Sequence, residues 1–256
     1  MPFVTHRGQR IAYEVEGAGP LVVLQHGLLS NRLGWKERGF VDALADRFRV
    51  ASIDSLGHGE SDKPADASLY DQRQRTGDLV AVMDALGAGQ AHVIGYSMGG
   101  WIAVGVARHY PERLASLTVA GWYLVSGMET VRAASGAPGP MVFDTLMTGA
   151  RLAAPQLVEW VTPEVEPGLA ACFEAIKNLD GSPEAVLRAP CPVLLWNGQS
   201  DPYHGPMEAF AAEHGLRFLS TPGDHLTAML MGGTGDAGKG LRAFLEDVAV
   251  TAPAPG

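Results

Sequence analysis

Short apolar runs alternate with longer amphipathic stretches along most of the chain. Continuous apolar runs, which are typical of strands buried on both faces, occur at Leu21–Gln25, Ala91–Gly95 and Pro192–Asn197. Between Tyr70 and Leu86 the apolar residues recur at helical spacing, and Met98–Arg108 predicts a second helix. This alternation predicts an α/β fold with a mostly parallel sheet that is flanked by helices.

Five further segments complete a predicted sheet of eight strands. Two of them form an N-terminal hairpin, and the five segments are Val4–His6, Ile11–Glu16, Arg49–Ile53, Leu114–Gly121 and Arg217–Ser220. Other predicted helices cover Trp35–Phe48, the region near Pro206–Glu213, and Gly238–Val248. We expect Thr251–Gly256 to be a frayed tail.

The alternation stops between about residues 122 and 187. Helical patterns remain there at Val142–Leu152, Pro155–Val161 and Gly168–Lys177, separated by the Pro/Gly-rich stretches Ala134–Pro140 and Thr162–Pro167. We therefore predict a small helical cap, residues 122–187, inserted after the sixth strand. Residues 1–121 and 188–256 form the predicted core domain.

The strongest chemical signal is the stretch Gly95-Tyr96-Ser97-Met98-Gly99, which lies between a predicted strand and a predicted helix. This is the setting of a nucleophile elbow, a turn so sharp that it holds the serine in a strained backbone conformation. Glycines two residues on either side permit the close approach of strand and helix. Ser97 is therefore the predicted nucleophile.

A serine nucleophile needs a base, which is in turn oriented by an acid. Asp201 follows the strand Pro192–Asn197 and His225 follows the last predicted strand, which gives the chain order Ser, Asp, His. Asp224 is the alternative acid, but neighbouring residues on an extended loop point apart, so Asp201 is preferred. Four other acidic or basic candidates are assigned structural or peripheral roles: Asp54 and Asp62 as turn formers, His204 as a rim residue, and His26 as a residue that holds its loop.

An oxyanion hole needs two backbone N–H groups that point at one spot. The residue after the nucleophile, Met98, supplies one of them. The loop after Leu21–Gln25 supplies the other, and Leu28, next to Gly27, is the best-placed donor in it.

Composition and charge narrow the functional classes. The chain of 256 residues has a net charge of −9 with scattered acidic residues, which argues against a nucleic-acid partner. No apolar run approaches the roughly 20 residues of a membrane span. Two cysteines cannot form a disulfide framework and no secretory signal is visible, so we expect a cytoplasmic protein without a membrane partner. No motif indicates a metal or an organic cofactor, and the oligomeric state is left open.

Four features in order resemble the α/β-hydrolase fold superfamily of serine hydrolases. They are the His26-Gly27 loop, the stretch Asp54-Ser55-Leu56-Gly57-His58-Gly59-Glu60-Ser61-Asp62-Lys63-Pro64, the Ser97 elbow and the Asp201/His225 pair. The resemblance covers nearly the whole chain and implies a serine carboxylesterase. Haloalkane dehalogenases and epoxide hydrolases are excluded, because their nucleophile is an aspartate. Proline iminopeptidases, large lipases and hormone-sensitive-type esterases carry a different loop at the position of His26-Gly27-Leu28.

The predicted cap implies a largely apolar substrate pocket. Its candidate lining residues are Leu29, Tyr96, Trp122, Tyr123, Phe143, Met147 and Trp160. For Phe143, Met147 and Trp160 the alternative is that they only pack the helices of the insertion.

The expected activity is cleavage of small or medium apolar carboxylic esters. Within the resemblance, the alternatives are a lactonase, including the enol-lactone type, and a carbon–carbon bond hydrolase. A different class also remains open, a ligand receptor or signalling protein with vestigial hydrolysis. A small-molecule ester or lactone is the expected partner in the enzymatic cases.

Overall fold

A computed structural model describes residues 1–136, 141–179, 181–230 and 232–251. It contains an eight-stranded sheet whose strands are β1 (Phe3–His6), β2 (Gln9–Glu16), β3 (Leu21–Gln25), β4 (Arg49–Ile53), β5 (Ala91–Tyr96), β6 (Leu114–Ala120), β7 (Val193–Gly198) and β8 (Arg217–Thr221). Each strand overlaps a predicted one. β3 and β5 are buried along their whole length, as expected of strands covered on both faces.

The strand order is β1-β2-β4-β3-β5-β6-β7-β8. β1 pairs antiparallel with β2 and β2 antiparallel with β4, whereas every other neighbouring pair is parallel. The chain runs from β3 outward to β4 and then crosses to the other side of β3 as β5. In such sheets, ligands bind beyond the carboxyl ends of the strands at the point of reversal. The topology therefore predicts a ligand site at the loops that follow β3 and β5.

Helices cover both faces of the sheet. Their bounds are α1 (Leu33–Glu37), α2 (Phe40–Leu44), α3 (Gln72–Ala85), α4 (Met98–His109), α5 (Met128–Ser135), α6 (Phe143–Ala153), α7 (Glu166–Ala175), α8 (Ser182–Leu187), α9 (His204–His214), α10 (Thr227–Leu230) and α11 (Asp236–Thr251). One apolar core joins a face of the sheet to α1, α2 and α11. The other core joins the opposite face to α3, α4 and α9 and continues into the helices between β6 and β7.

The single helix predicted over Trp35–Phe48 is wrong, because two short helices, α1 and α2, occupy this region. They are separated at Gly39, whose φ of 80° lies in the left-handed region. A Cβ atom at Gly39 would lie 3.1 Å from the Thr234 side chain. The break is therefore set by glycine and by a tertiary contact, and apolar spacing does not reveal it.

Helices α5 to α8 occupy the interval between β6 and β7, as predicted for the inserted segment. Of the predicted Pro155–Val161 helix, only a 3-10 turn at Pro155–Leu157 is formed. Helices α5 and α8 were not predicted. Within Ala134–Pro140, residues 137–140 lie outside the described residues, as do residues 252–256 of the predicted tail. The assignment of residues 122–187 as a separate cap domain remains a prediction.

We find no helix in the described ranges that is both long enough and apolar enough to cross a membrane.

Candidate active site

Ser97 lies at the turn between β5 and α4. Its φ of 57° and ψ of −119° confirm the strained conformation expected at an elbow. A Cβ atom at Gly99 would lie only 2.0 Å from the Gln25 carbonyl oxygen, and one at Gly95 only 2.0 Å from that of Gly99. Both glycines are therefore needed for the close approach of strand and helix.

Ser97, His225 and Asp201 form one chain of hydrogen bonds. The Nε2 atom of His225 lies 3.1 Å from the Ser97 Oγ atom, and its Nδ1 atom lies 2.7 Å from Oδ2 of Asp201. The Asp201 side chain is fully buried, and its second oxygen, Oδ1, accepts a hydrogen bond of 2.9 Å from the Tyr203 backbone N–H. The acid is thus fixed from two sides and can hold the imidazole in one orientation.

Asp224, the alternative acid, forms its hydrogen bonds within its own turn. Its Oδ1 atom accepts hydrogen bonds from the backbone N–H groups of Leu226 and Thr227, at 3.0 and 2.8 Å. Hydrogen bonds from Thr227 lower the pKa of this exposed carboxyl. Asp224 therefore stabilises the turn after β8, while Asp201 contacts the imidazole.

Two tyrosines hold the loop that carries His225. The Tyr96 hydroxyl donates a hydrogen bond of 2.7 Å to the His225 carbonyl oxygen, and the ring centroids of these two residues are 5.4 Å apart. Burial, and then the charge of Asp201, raise the pKa of Tyr96 above its usual range, so its hydroxyl remains a donor. The Tyr203 ring also packs against His225, with the ring centroids 5.9 Å apart.

The loop after β3 lies against the nucleophile, since a Cβ atom at Gly27 would be 3.3 Å from the Ser97 Cβ atom. Nε2 of His26 accepts the Ser55 backbone N–H at 3.1 Å, so Nδ1 carries the proton and donates to the Gly27 carbonyl oxygen at 2.8 Å. That carbonyl belongs to the same peptide group as the Leu28 N–H. His26 therefore fixes the direction of the predicted oxyanion donor.

A second histidine supports the next peptide group. Nε2 of His58 lies 2.6 Å from the Leu28 carbonyl oxygen. Burial lowers the pKa of His26 to about 4. Burial, and then the charges of His26 and Arg75, hold the pKa of His58 well below its usual value. Both imidazoles are therefore neutral at neutral pH and form fixed parts of the loop's support.

The fully buried carboxylate of Asp54 is the centre of the loop after β4. It accepts hydrogen bonds from the Arg32 backbone N–H at 2.7 Å and from the Glu60 N–H at 2.9 Å, and it pairs with the Arg32 guanidinium. Asp62 accepts the Arg10 backbone N–H at 2.7 Å. Both aspartates hold loops, consistent with the turn-forming role predicted for them.

The seven predicted pocket residues differ in their surroundings. Tyr96 supports His225, and Trp122 is buried with its ring 6.1 Å from that of Tyr203. The ring of Trp160 lies 5.6 Å from that of His58, so this residue reaches the histidine that contacts the Leu28 carbonyl oxygen. Four others complete the set: Leu29 and Tyr123 are half-buried, Met147 is buried, and Phe143 packs 5.9 Å from Phe173. For Phe143 this contact favours the packing alternative, and the lining role of all seven stays a prediction.

Sequence reasoning missed Tyr203 and Arg75. Tyr203 contributes a backbone N–H and a ring that packs against His225, but it belongs to no motif in the sequence. Arg75 is buried on α3, and its guanidinium contacts Ser55 and Met98. Among the described residues, no group of three or more His, Cys, Asp or Glu side chains could hold a metal ion.

The comparisons with known proteins agree with this architecture. A sequence model described as the alpha/beta hydrolase fold matches residues 20–134. A thermophilic esterase from Thermogutta terrifontis superposes with a TM-score of 0.76 at 25% identity, over 96% of this chain and 97% of that one. The enol-lactonase from Burkholderia xenovorans LB400 gives a TM-score of 0.71 at 22% identity, over 97% and 100%. The chain therefore has the α/β-hydrolase fold.

Sequence similarity to curated relatives of this superfamily is confined to part of the chain. Epoxide hydrolase B from Mycobacterium tuberculosis is 38% identical over 100 residues, which is 39% of this chain and 28% of that protein. The match covers 40% of a putative 2-succinyl-6-hydroxy-2,4-cyclohexadiene-1-carboxylate synthase from Bacillus subtilis and 47% of a putative carbamate hydrolase from Azorhizobium caulinodans. It covers 32% of an uncharacterized protein from Mycobacterium bovis. The chain thus matches less than half the length of these relatives, and its activity has to be inferred from its own site.

Proposed function

We propose that this α/β hydrolase is a cofactor-independent serine hydrolase of small or medium apolar carboxylic esters. The observation that carries the proposal is the continuous hydrogen-bond chain from Ser97 through His225 to Asp201. It lies at the elbow, beyond the carboxyl ends of the parallel strands, where this fold binds its ligands.

The geometry supports a two-step acyl transfer. Ser97 Oγ attacks the ester carbonyl carbon while His225 Nε2 takes its proton, and Asp201 stabilises the resulting imidazolium. The N–H groups of Leu28 and Met98 stabilise the oxyanion. His225 then protonates the leaving alcohol, and a water molecule that His225 deprotonates releases the acid from Ser97.

Three observations support an ester as the substrate. The nucleophile position holds Ser97 and not the aspartate that epoxide hydrolysis requires, although part of the chain is similar to an epoxide hydrolase. The residues proposed to line the pocket are apolar, which suits an uncharged acyl group. The Thermogutta esterase is similar over nearly the whole chain.

A fluorophosphonate probe tests the nucleophile. We expect one adduct, at Ser97, mapped by mass spectrometry, and loss of both labelling and ester turnover in Ser97→Ala. Ser200→Ala is the matched control, because Ser200 is an exposed serine next to Asp201. Labelling at another residue, or full turnover by Ser97→Ala, would refute the assignment.

Substrate profiling tests the activity. We expect higher kcat/KM for 4-nitrophenyl acetate, butyrate or octanoate than for simple and enol lactones. Faster lactone opening would establish the lactonase alternative. Fewer than a handful of turnovers per molecule with every ester, together with stoichiometric labelling of Ser97, would favour a receptor with vestigial hydrolysis.

A further inference from the structure

The guanidinium of Arg75 lies where three loops of the site converge. Its Nη2 atom donates to the Ser55 Oγ atom at 2.8 Å, and its Nη1 atom lies 3.2 Å from the Met98 sulfur. Ser55 Oγ also accepts a hydrogen bond of 3.0 Å from the Gln25 side chain, and the Ser55 N–H donates to His26. Arg75 therefore connects the chain segments that follow β3, β4 and β5.

This charge has no counter-charge in direct contact. Arg75 is 3% exposed, and no carboxylate of the described residues lies within 4.0 Å of its nitrogen atoms. Its partners are a hydroxyl and a thioether, both neutral, and its Nε atom has no hydrogen-bond partner in the described part of the chain. Asp54, the buried carboxylate of the same region, is paired with Arg32.

Burying an unpaired charge is costly, so this arrangement requires a compensating gain. Arg75 contacts the side chain of Met98, and the N–H of Met98 is predicted to bind an oxyanion, a negative charge that exists only during the reaction. The positive charge of Arg75 also contributes to lowering the pKa of His26 and of His58, after the larger effect of burial. Its field therefore reaches the loop that carries Leu28.

We propose that Arg75 is a positioning residue whose fixed charge, in contact with Ser55 and with the Met98 side chain, stabilises the oxyanion that the Leu28 and Met98 N–H groups bind. This inference rests on the proposed function, because it requires a tetrahedral intermediate at Ser97. Such a preorganised charge acts on the transition state without reorganising during the reaction.

The expected effect is a change in kcat with little change in KM. At an effective dielectric of about 20, unit charges about 10 Å apart interact strongly enough to alter a rate on the order of tenfold. Arg75→Met should therefore lower kcat about tenfold, while KM for a neutral ester stays within about twofold, because the ground state carries no oxyanion. Arg75→Lys retains a positive charge and should keep most of the wild-type kcat.

A boronic acid provides a readout that a purely structural role would not move selectively. Its boron accepts the Ser97 oxygen while the Ser97 proton passes to His225, which leaves a negatively charged tetrahedral adduct. We expect Arg75→Met to weaken butylboronic acid inhibition by about the same factor as kcat. Arg49→Met is the matched control, since Arg49 has a buried Nε atom without a partner and donates to the Leu86 carbonyl oxygen at the opposite end of the sheet. Arg49→Met should change neither kcat nor the inhibition by butylboronic acid.

Unchanged boronic acid inhibition in Arg75→Met would overturn the inference. So would a tenfold loss of kcat in a well-folded Arg75→Lys, which would assign the effect to shape and not to charge. If Arg75→Met does not fold, the kcat of Arg75→Lys alone distinguishes a role of the charge from a role of the side-chain shape. Failure of the wild-type protein to be labelled at Ser97 would instead refute the proposed function.

Discussion

His92 lies on β5, at the opposite end of the strand from the elbow, and is 4% exposed. Its Nδ1 atom lies 2.8 Å from the Ser116 Oγ atom on β6, and the Phe48 ring packs edge-on at 5.8 Å. Burial lowers the pKa of His92 from 6.5 to about 4. We predict that His92→Asn makes the stability of the protein less sensitive to acid.

The magnitude follows from proton linkage. The unfolded chain protonates His92 near pH 6.5, whereas the folded chain does so only near pH 4. Unfolding between these values takes up a proton, so the free energy of unfolding falls as the pH falls. This group alone should make the protein about 2 kcal/mol less stable at about pH 5 than at about pH 7.5. His26 adds an effect of the same sign, which the variant leaves in place.

Urea unfolding at about pH 7.5, 6 and 5, followed by tryptophan fluorescence, measures the effect. We expect the decrease in the free energy of unfolding to be about 2 kcal/mol smaller in His92→Asn than in the wild type. Ser116→Ala is the matched control, because it removes the hydrogen-bond partner and keeps the imidazole, so its pH dependence should match the wild type. Equal pH dependence in His92→Asn and the wild type would refute the linkage to His92.

Three further predictions concern the site and its frame. Asp201→Asn should lower kcat on the order of 10⁴-fold, because the amide favours the wrong imidazole tautomer, whereas Asp224→Asn should stay near the wild-type kcat; the reverse result would exchange their roles. Gly99→Ala should destabilise the protein by at least about 1–3 kcal/mol in thermal or urea unfolding, because its Cβ atom would lie 2.0 Å from the Gln25 carbonyl oxygen; wild-type stability would contradict this. Met147→Ala should change the ratio of octanoate to acetate kcat/KM by about 10- to 200-fold if Met147 lines the acyl pocket, whereas equal changes for both esters would indicate internal packing.

The elbow and its two partner loops could be predicted because their signals are local. The glycines around Ser97 mark a turn that few other residues permit, and the positions of Asp201 and His225 follow from strand order. Parallel strands bring their carboxyl ends to one edge of the sheet, so residues far apart in sequence can be placed together.

Features set by tertiary contacts could not be predicted. The break at Gly39 depends on the packing of Thr234. Helices α5 and α8 are too short for a clear periodic pattern, and α8 is held by packing on α4. The proposed role of Arg75 depends on the loops that contact its guanidinium. The sequence alone shows only a charged residue on a predicted helix, so this role could not be predicted.

The placement of the proposed triad on the sheet has a consequence for protein synthesis. Ser97 precedes His225 by 128 residues, and β7 and β8, which carry Asp201 and His225 at their ends, form one edge of the sheet. A nascent chain that extends only as far as β6 holds the elbow but neither the base nor its acid. A newly made molecule can therefore cleave an ester only after the last two strands have docked. The onset of ester turnover in a translation reaction thus measures the time at which folding is complete.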